Sequence, residues 1–450
     1  MEKYLGLYAE PEIAALPDLL EMIQASGKWA NVVVIPACNE SADFLRPPPP
    51  CEGRSLMVLV INESVTASEG VSLTNQALAA NVHERFDLQW QSPSDFNGFE
   101  LSLFRDPANP RDVLLVDRFS DGRQLPVKGG VGHARKIGVD LAASLIHSER
   151  ISSRWIHCTD ADVHLPKTYF TCSDAVSDPK SQISVLNYPF HHSDDQQHSE
   201  SEQVIQATLL YELSLRYYVA GMKYAQSPYA FHTIGSTMAI SATHYAKVRG
   251  FPRRAAGEDF YLLNKLAKVG SVLELDANSE CEAIEITSRK SDRVPFGTGA
   301  AVIKITDMEE PVNDFRFYDP LVFEMLGIWL QSWPAIWQSQ STEFASVLFP
   351  ETADKLAGNR QALISGLLGI KTEQALVHAF KQSKSLGQFT QQMHIWFDAF
   401  RALKLIHSLR DSGLPGLDYT ALVDNQAYAR LLTIDSDLNG FNKRLKNYLS

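Results

Sequence analysis

Two aspartates, Asp160 and Asp162 in RWIHCTDADVHLP (154–166), stand at the end of an apolar run that predicts a buried strand. Carboxylates there can hold a hard divalent cation, which takes oxygen ligands and completes its shell with water and phosphate. The same spacing also suits a solvated surface. A second acidic pair, Glu258 and Asp259, follows Gly257 and opens the helical pattern DFYLLNKLAKVG. Such acids either complement a helix N-terminus or take a proton from a reacting hydroxyl. Basic residues stand in two places. Lys128 precedes a Gly-Gly pair, with Arg135 shortly after, and Arg289 and Arg293 lie in TSRKSDRVPFGTG (287–299). A cation beside a glycine-rich helix start suits a diphosphate, since exposed N–H groups and the helix dipole both favour negative charge.

The elements that must position these residues alternate between strand and helix. NVVVIPACNES (31–41), SLMVLVINES (55–64) and DVLLVDRFSDG (112–122) are continuous apolar runs bounded by turn residues, the pattern of a sheet covered on both faces. SLTNQALAANVHERF (72–86) and GHARKIGVDLAASLIHS (132–148) repeat apolar residues every three or four positions. The alternation predicts a doubly wound, mostly parallel, Rossmann-like α/β sheet, which binds ligands beyond the carboxyl ends of its strands. After Pro36 the chain leaves the first strand, so Ala37, Asn39 and Glu40 are expected at a crevice able to hold a base and ribose. From about residue 311 the pattern becomes helical throughout. The expected organisation is a helical segment at 1–30, a catalytic domain at 31–310 and an all-helical extension at 311–450. Trp329, Trp333 and Trp337 recur every four residues as a core stripe, and Pro334 is expected to kink or interrupt their helix.

Four segments carry a resemblance: VVVIPACNE, KGGVGHARKIGVDLA, CTDADVHLP, and GSTMAISATHYAKVRGFPRRAAGEDFYLLNKLAKVG at 235–270. In this order they resemble the GT-A glycosyltransferases of the large family 2, over about residues 31–300. The resemblance implies a GT-A fold and transfer of a sugar from a nucleotide diphosphate donor, with Mg²⁺ or Mn²⁺ held by Asp160 and Asp162. It implies Asp259, beside Glu258, as the general base of an inverting displacement. It places the nucleotide pocket at Pro36, Ala37, Asn39 and Glu40, with Lys128, Arg135 and Asp160 also on the donor. Where such proteins commonly end the second strand in an acidic nucleoside contact, this chain has Asn62, so the contact is altered or displaced and Asn62 is its candidate on the nucleotide side. Some members of the fold supply a histidine ligand after the Glu-Asp helix; residues 271–310 hold none, and His164 is the candidate substitute. Arg289 and Arg293 are candidates for a lid over the diphosphate. His232, Gly235 and Ser236 are candidates for the acceptor side, the acceptor being a sugar, a lipid or a small molecule. Three alternatives stay open: a retaining transferase of the same fold acting on glycerate or phosphoglycerate, a nucleotidyltransferase, and a non-catalytic sugar-nucleotide-binding protein.

Other features read more plainly. PFHHSDDQQHSESE (189–202), with His191, His192 and His198, reads as a polar loop near the acceptor more than as a zinc site. Tyr211, Tyr217 and Tyr218 lie on a helical pattern as core or sugar-stacking residues. A net charge of -12 over 450 residues argues against nonspecific nucleic-acid binding. No apolar stretch reaches the roughly 20 residues of a membrane span. The five cysteines, Cys38, Cys51, Cys158, Cys172 and Cys281, are odd in number and scattered, so no disulfide framework and a cytoplasmic setting are expected. The helical extension is a possible homodimer surface.

Overall fold

A computed structural model describes the chain except residues 24–27, 94–97, 177, 179, 194–200, 277–280, 294–296, 349–356 and 450. Its contacts divide it into two compact units, Met1–Ile205 with Thr233–Ala301 and Gln206–His232 with Val302–Ser450.

In chain order the strands of the first unit are β1 (Asn31–Ala37), β2 (Ser55–Asn62), β3 (Asp87–Gln91), β4 (Glu100–Arg105), β5 (Arg111–Arg118), β6 (Trp155–Cys158), β7 (Val163–His164), β8 (Ile183–Asn187), β9 (Phe190–His192), β10 (Met238–Ser241), β11 (Ser271–Glu274) and β12 (Ile284–Ile286). Nine of them form one sheet in the order β11-β8-β10-β6-β1-β2-β5-β4-β3. The pairings make only β4 and β10 run against the rest, so the sheet is mostly parallel. Every residue of β1 and β2 is buried, which is why both read as unbroken apolar runs. The antiparallel β3–β4 hairpin and the reversed β10 do not show as an alternating strand–helix pattern. A second, three-stranded sheet, β7-β12-β9, starts directly after Asp162. It includes the histidines of PFHH, so Phe190–His192 is a strand, whereas His198 lies outside the described residues.

The helix Gly130–His147 packs on β1 and β2, and Gly138 permits the close approach. A Cβ there would overlap Val34 Cγ1 and lie 3.2 Å from Val60 Cγ2. One covalent tie corrects the cysteine reading: Cys172 and Cys281 are disulfide-bonded, with Cα atoms 5.6 Å apart. Their separation of 109 residues hides the pairing from any spacing rule.

In the second unit the described residues are helical apart from turns and an isolated bridge between Phe317 and Leu417. The proline does interrupt the tryptophan stripe: one helix ends at Gln331, and the next, Trp333–Ser339, carries Pro334 in its first turn. Trp329 and Trp333 are buried, with ring centroids 5.8 Å apart, while Trp337 is half-buried against Phe389. Tyr217 is core, its hydroxyl donating to the Tyr318 carbonyl at 2.9 Å. Among the described residues, no helix is long and apolar enough to cross a membrane.

Candidate active site

The carboxyl ends of β1 and β6 lie side by side, and the Thr159 N–H donates to the Val34 carbonyl, extending the ladder to the threshold of Asp160. The backbone then turns into β7, and the Asp162 carbonyl accepts from Thr287 N at 3.0 Å, so the second sheet fixes where the acidic loop ends. The other acidic pair arrives from nearly one hundred residues away. Gly257 adopts a left-handed conformation at φ 71°, open to glycine without strain, and starts the helix Glu258–Leu266. The loop before it presses on the glycine-rich helix start, where Gly132 N donates to Arg254 O at 3.0 Å. A Cβ on Gly132 would lie 2.6 Å from that oxygen and 2.9 Å from Glu258 Cβ.

Arg135, buried in the same helix, joins the two pairs: one guanidinium nitrogen donates to Glu258 Oε1 and the other to Asp160 Oδ1. Gly235 lies against that guanidinium, with no room for a Cβ. A second cluster sits beside it. Arg289 grips Glu40 with both terminal nitrogens, at 3.0 and 2.6 Å, and donates through Nε to Asp162 at 2.9 Å. Arg293 also pairs with Glu40 and donates to the Cys38 carbonyl at 3.1 Å. Both arginines follow β12, whose pairing with β7 and β9 carries them to the end of β1. Five carboxylates (Glu40, Asp160, Asp162, Glu258, Asp259) thus face three guanidiniums, a formal excess of two negative charges.

Burial and repulsion act on these acids in different directions. Glu258 is pushed up to about 7, chiefly by burial, which outweighs the Arg135 guanidinium, with Asp259 and Asp160 adding repulsion. Burial also raises Asp259, against Arg135 and the Phe260 N–H that donates to its carboxylate at 2.7 Å. Asp162 is raised by burial and by Asp160 and Glu40, with Arg289 opposing. Burial acts on Glu40 too, but the two arginines prevail and hold it below the usual glutamate range.

The Glu258 shift carries a stability prediction. An unfolded glutamate releases its proton near 4.5 and the folded one near 7. The folded state therefore binds the extra proton between those values, and the contribution is complete below about 4.5 and lost as pH rises through 7. Its size is on the order of 3 kcal/mol. Urea unfolding from pH 4.5 to 8 is expected to show a steeper decline for the parent than for Glu258→Gln; parallel curves would remove the assignment.

Several nominated residues take places other than those expected. Pro36 and Ala37 are buried at the end of β1, paired with Val60 and Ile61, so only their main chain is open to a nucleotide role. Asn62 is buried, and its amide donates to the Ala37 carbonyl at 3.0 Å and the Val60 carbonyl at 3.2 Å, bracing the ends of β1 and β2. Asn75 extends that brace, donating to the Asn62 carbonyl at 3.2 Å and to Glu63 at 3.1 Å while accepting from Asn39 N at 3.0 Å. Asn39 is exposed with φ 56°, a left-handed conformation that asparagine tolerates. Lys128 is exposed just before the Gly130 helix, and Ser236 is buried. His232 belongs to the helical unit, whereas Gly235 and Ser236 belong to the first. Arg46, Asn75 and Arg253 went unnoticed in the sequence, because isolated polar residues carry no periodic signal.

His164, the candidate third ligand, has its Nδ1 2.9 Å from an Arg46 guanidinium nitrogen. Among the described residues, no three or more histidine, cysteine or acidic side chains group as a metal site. Asp160 and Asp162 supply oxygens of the kind a hard cation takes, its other ligands coming from phosphate and water, and each is paired here with an arginine, Asp160 with Arg135 and Asp162 with Arg289.

No protein-family model matches the chain, and no curated protein matches it. Among solved structures, the chain is similar to "Mannosyltransferase PcManGT from Pyrobaculum calidifontis in complex with GDP-Man and Mn2+" at 14% identity. That match covers 86% of this chain and 97% of the other, with a TM-score of 0.32. A likeness this slight carries no argument.

Proposed function

We propose that this crevice transfers a sugar from a nucleotide diphosphate donor to an acceptor hydroxyl, with inversion at the anomeric carbon. The observation that carries the reading is Arg135, which draws the acidic loop after β6 and the Glu258 helix into one site. Asp259, half-buried and with a raised proton affinity, takes the acceptor proton as the hydroxyl oxygen bonds to the anomeric carbon. The bond from that carbon to the diphosphate oxygen breaks, and its electron pair leaves with the nucleoside diphosphate. Glu258 holds Arg135 in place. Asp160 and Asp162 would hold Mg²⁺ or Mn²⁺, which offsets charge on the leaving diphosphate when bound. Asn39 and Glu40 face the nucleoside, Lys128 lies towards the phosphates, and Arg289 and Arg293 close over them. Gly235 and Ser236 border the acceptor side. On this reading the catalytic core is of the GT-A family 2 type, a reading supported by its sequence motifs, with the helical region as an extension.

The test is nucleoside diphosphate release from a panel of UDP-, GDP- and dTDP-sugars with candidate hydroxyl acceptors and Mn²⁺ or Mg²⁺. Release from one donor is expected. Chelation with EDTA is expected to reduce it at least a hundredfold, a loss of several kcal/mol of transition-state stabilisation, and Mn²⁺ to restore it. Full activity in EDTA would instead assign diphosphate neutralisation to the three arginines. Pyrophosphate as the product would establish a nucleotidyltransferase, and retained anomeric configuration a retaining transferase.

A further inference from the structure

We propose that Glu10 is a positioning residue for the Glu258–Asp259 pair, acting through Arg253; the inference rests on the roles given to those carboxylates above. Glu10 is buried, only 2% exposed, although it lies in the segment between the helix Glu2–Leu7 and Pro11. Its carboxylate takes two hydrogen bonds from Arg253, Nε to Oε1 at 2.7 Å and NH2 to Oε2 at 2.8 Å. His133 Nε2 lies 3.2 Å from Oε2. The Glu10 backbone N–H donates to Asp140 Oδ2 at 2.8 Å. Asp140, fully buried, also accepts from Tyr4 at 2.5 Å, Tyr245 at 2.9 Å and Lys136 at 2.7 Å. Glu10 is thereby fastened to one face of the Gly130–His147 helix, at His133 and Asp140 two turns apart, with Lys136 Nζ between them at 3.8 Å from Oε1.

Arg253 needs none of this for its own solvation, since its side chain is 57% exposed. What the bidentate grip restrains is the loop. From Arg253 the backbone passes Arg254 and Ala255, which touch the glycine helix start so closely that a Cβ at Gly130 would lie 2.6 Å from Ala255 Cα. It then turns at Gly257 and delivers Glu258 to Arg135. The loop is held between the glycines on one side and Glu10 on the other. A two-point charged hydrogen bond fixes orientation as well as distance, and displacement of a reacting group by about 1 Å can cost a hundredfold in rate. Burial alone would raise Glu10, yet His133 and Arg253 bring it down to about 2, in keeping with a permanently ionised anchor.

The test compares the parent with Glu10→Gln, Arg253→Gln, Arg253→Lys and the double glutamine variant, by amide hydrogen exchange and by nucleoside diphosphate release. Glu10→Gln is expected to speed exchange at residues 253–260 about tenfold through local opening, with β1 and β2 unchanged. It is expected to lower kcat about tenfold to a hundredfold with the donor KM within twofold. The double variant is expected to be no worse than the poorer single one, and Arg253→Lys to recover part of kcat. Should Glu10→Gln fail to fold, Arg253→Gln breaks the same contact from its exposed side. Unchanged exchange at 253–260 in a folded variant overturns the proposal, as does an active parent whose kcat ignores both changes. If the parent releases nucleotide from no donor, exchange alone decides the positioning and the failure belongs to the functional reading.

Discussion

Asp259→Asn is expected to lower turnover by about 10²–10⁴-fold, the usual share of a positioned general base, while donor binding stays within a few-fold of the parent. The amide oxygen of asparagine can still accept from Phe260 N–H, the contact that the carboxylate makes at 2.7 Å, so the helix start is preserved and only the proton acceptor is lost. The pH dependence adds a second signature. Because burial raises Asp259 above the ordinary aspartate value of 3.8, the parent rate falls on the acid side at a higher pH than an exposed aspartate would give, and that limb disappears from the residual rate of the variant. Turnover within threefold of the parent would assign proton removal elsewhere, with Glu258 the next candidate.

Arg135→Ala has the largest expected effect on stability. Its guanidinium is the shared partner of Glu258 and Asp160, and its side chain is 3% exposed, so solvent does not take over when it is removed. Breaking a buried ion pair from one side costs about 3–5 kcal/mol, because the remaining charge is left without compensation. The cost is expected to be smaller at pH 5 than at pH 8, since Glu258 can take a proton at the lower pH. The double variant Arg135→Ala/Glu258→Gln is expected to be more stable than Arg135→Ala alone, by a coupling that urea unfolding measures directly. Additive losses would mean that the two side chains do not act on each other.

The legible parts of this molecule were those with a period or a run. β1, β2 and β5 read as apolar strands because burial on both faces leaves no alternation, and the Gly130 helix read from its spacing. That both acidic pairs stand beyond these elements followed from where the strand ended and where the helix began. What was not legible depends on single side chains meeting across long separations. Asn62 stands where a nucleoside contact is expected; its amide ties the ends of two strands by donating to the Ala37 carbonyl, while its backbone carbonyl accepts from Asn75, a partner that nothing in the helical pattern 72–86 distinguishes. His164 has a ligand's identity and an arginine's company, and that company, Arg46, comes from the proline-flanked stretch 118 residues earlier. The Cys172–Cys281 bond and the Glu10–Arg253 grip are of the same kind: contacts of one residue with one residue, set by topology.

The carboxylate of Asp140 gathers Tyr4, Lys136, Tyr245 and the Glu10 backbone around one buried charge. Losing one donor leaves the charge under-satisfied, and losing the charge strands three polar side chains, so no single step away from this set is neutral. Positions 4, 136, 140 and 245 should therefore be inherited as a block: in related chains either all four are kept, or several change together to an apolar packing, and lineages carrying only one change should be rare.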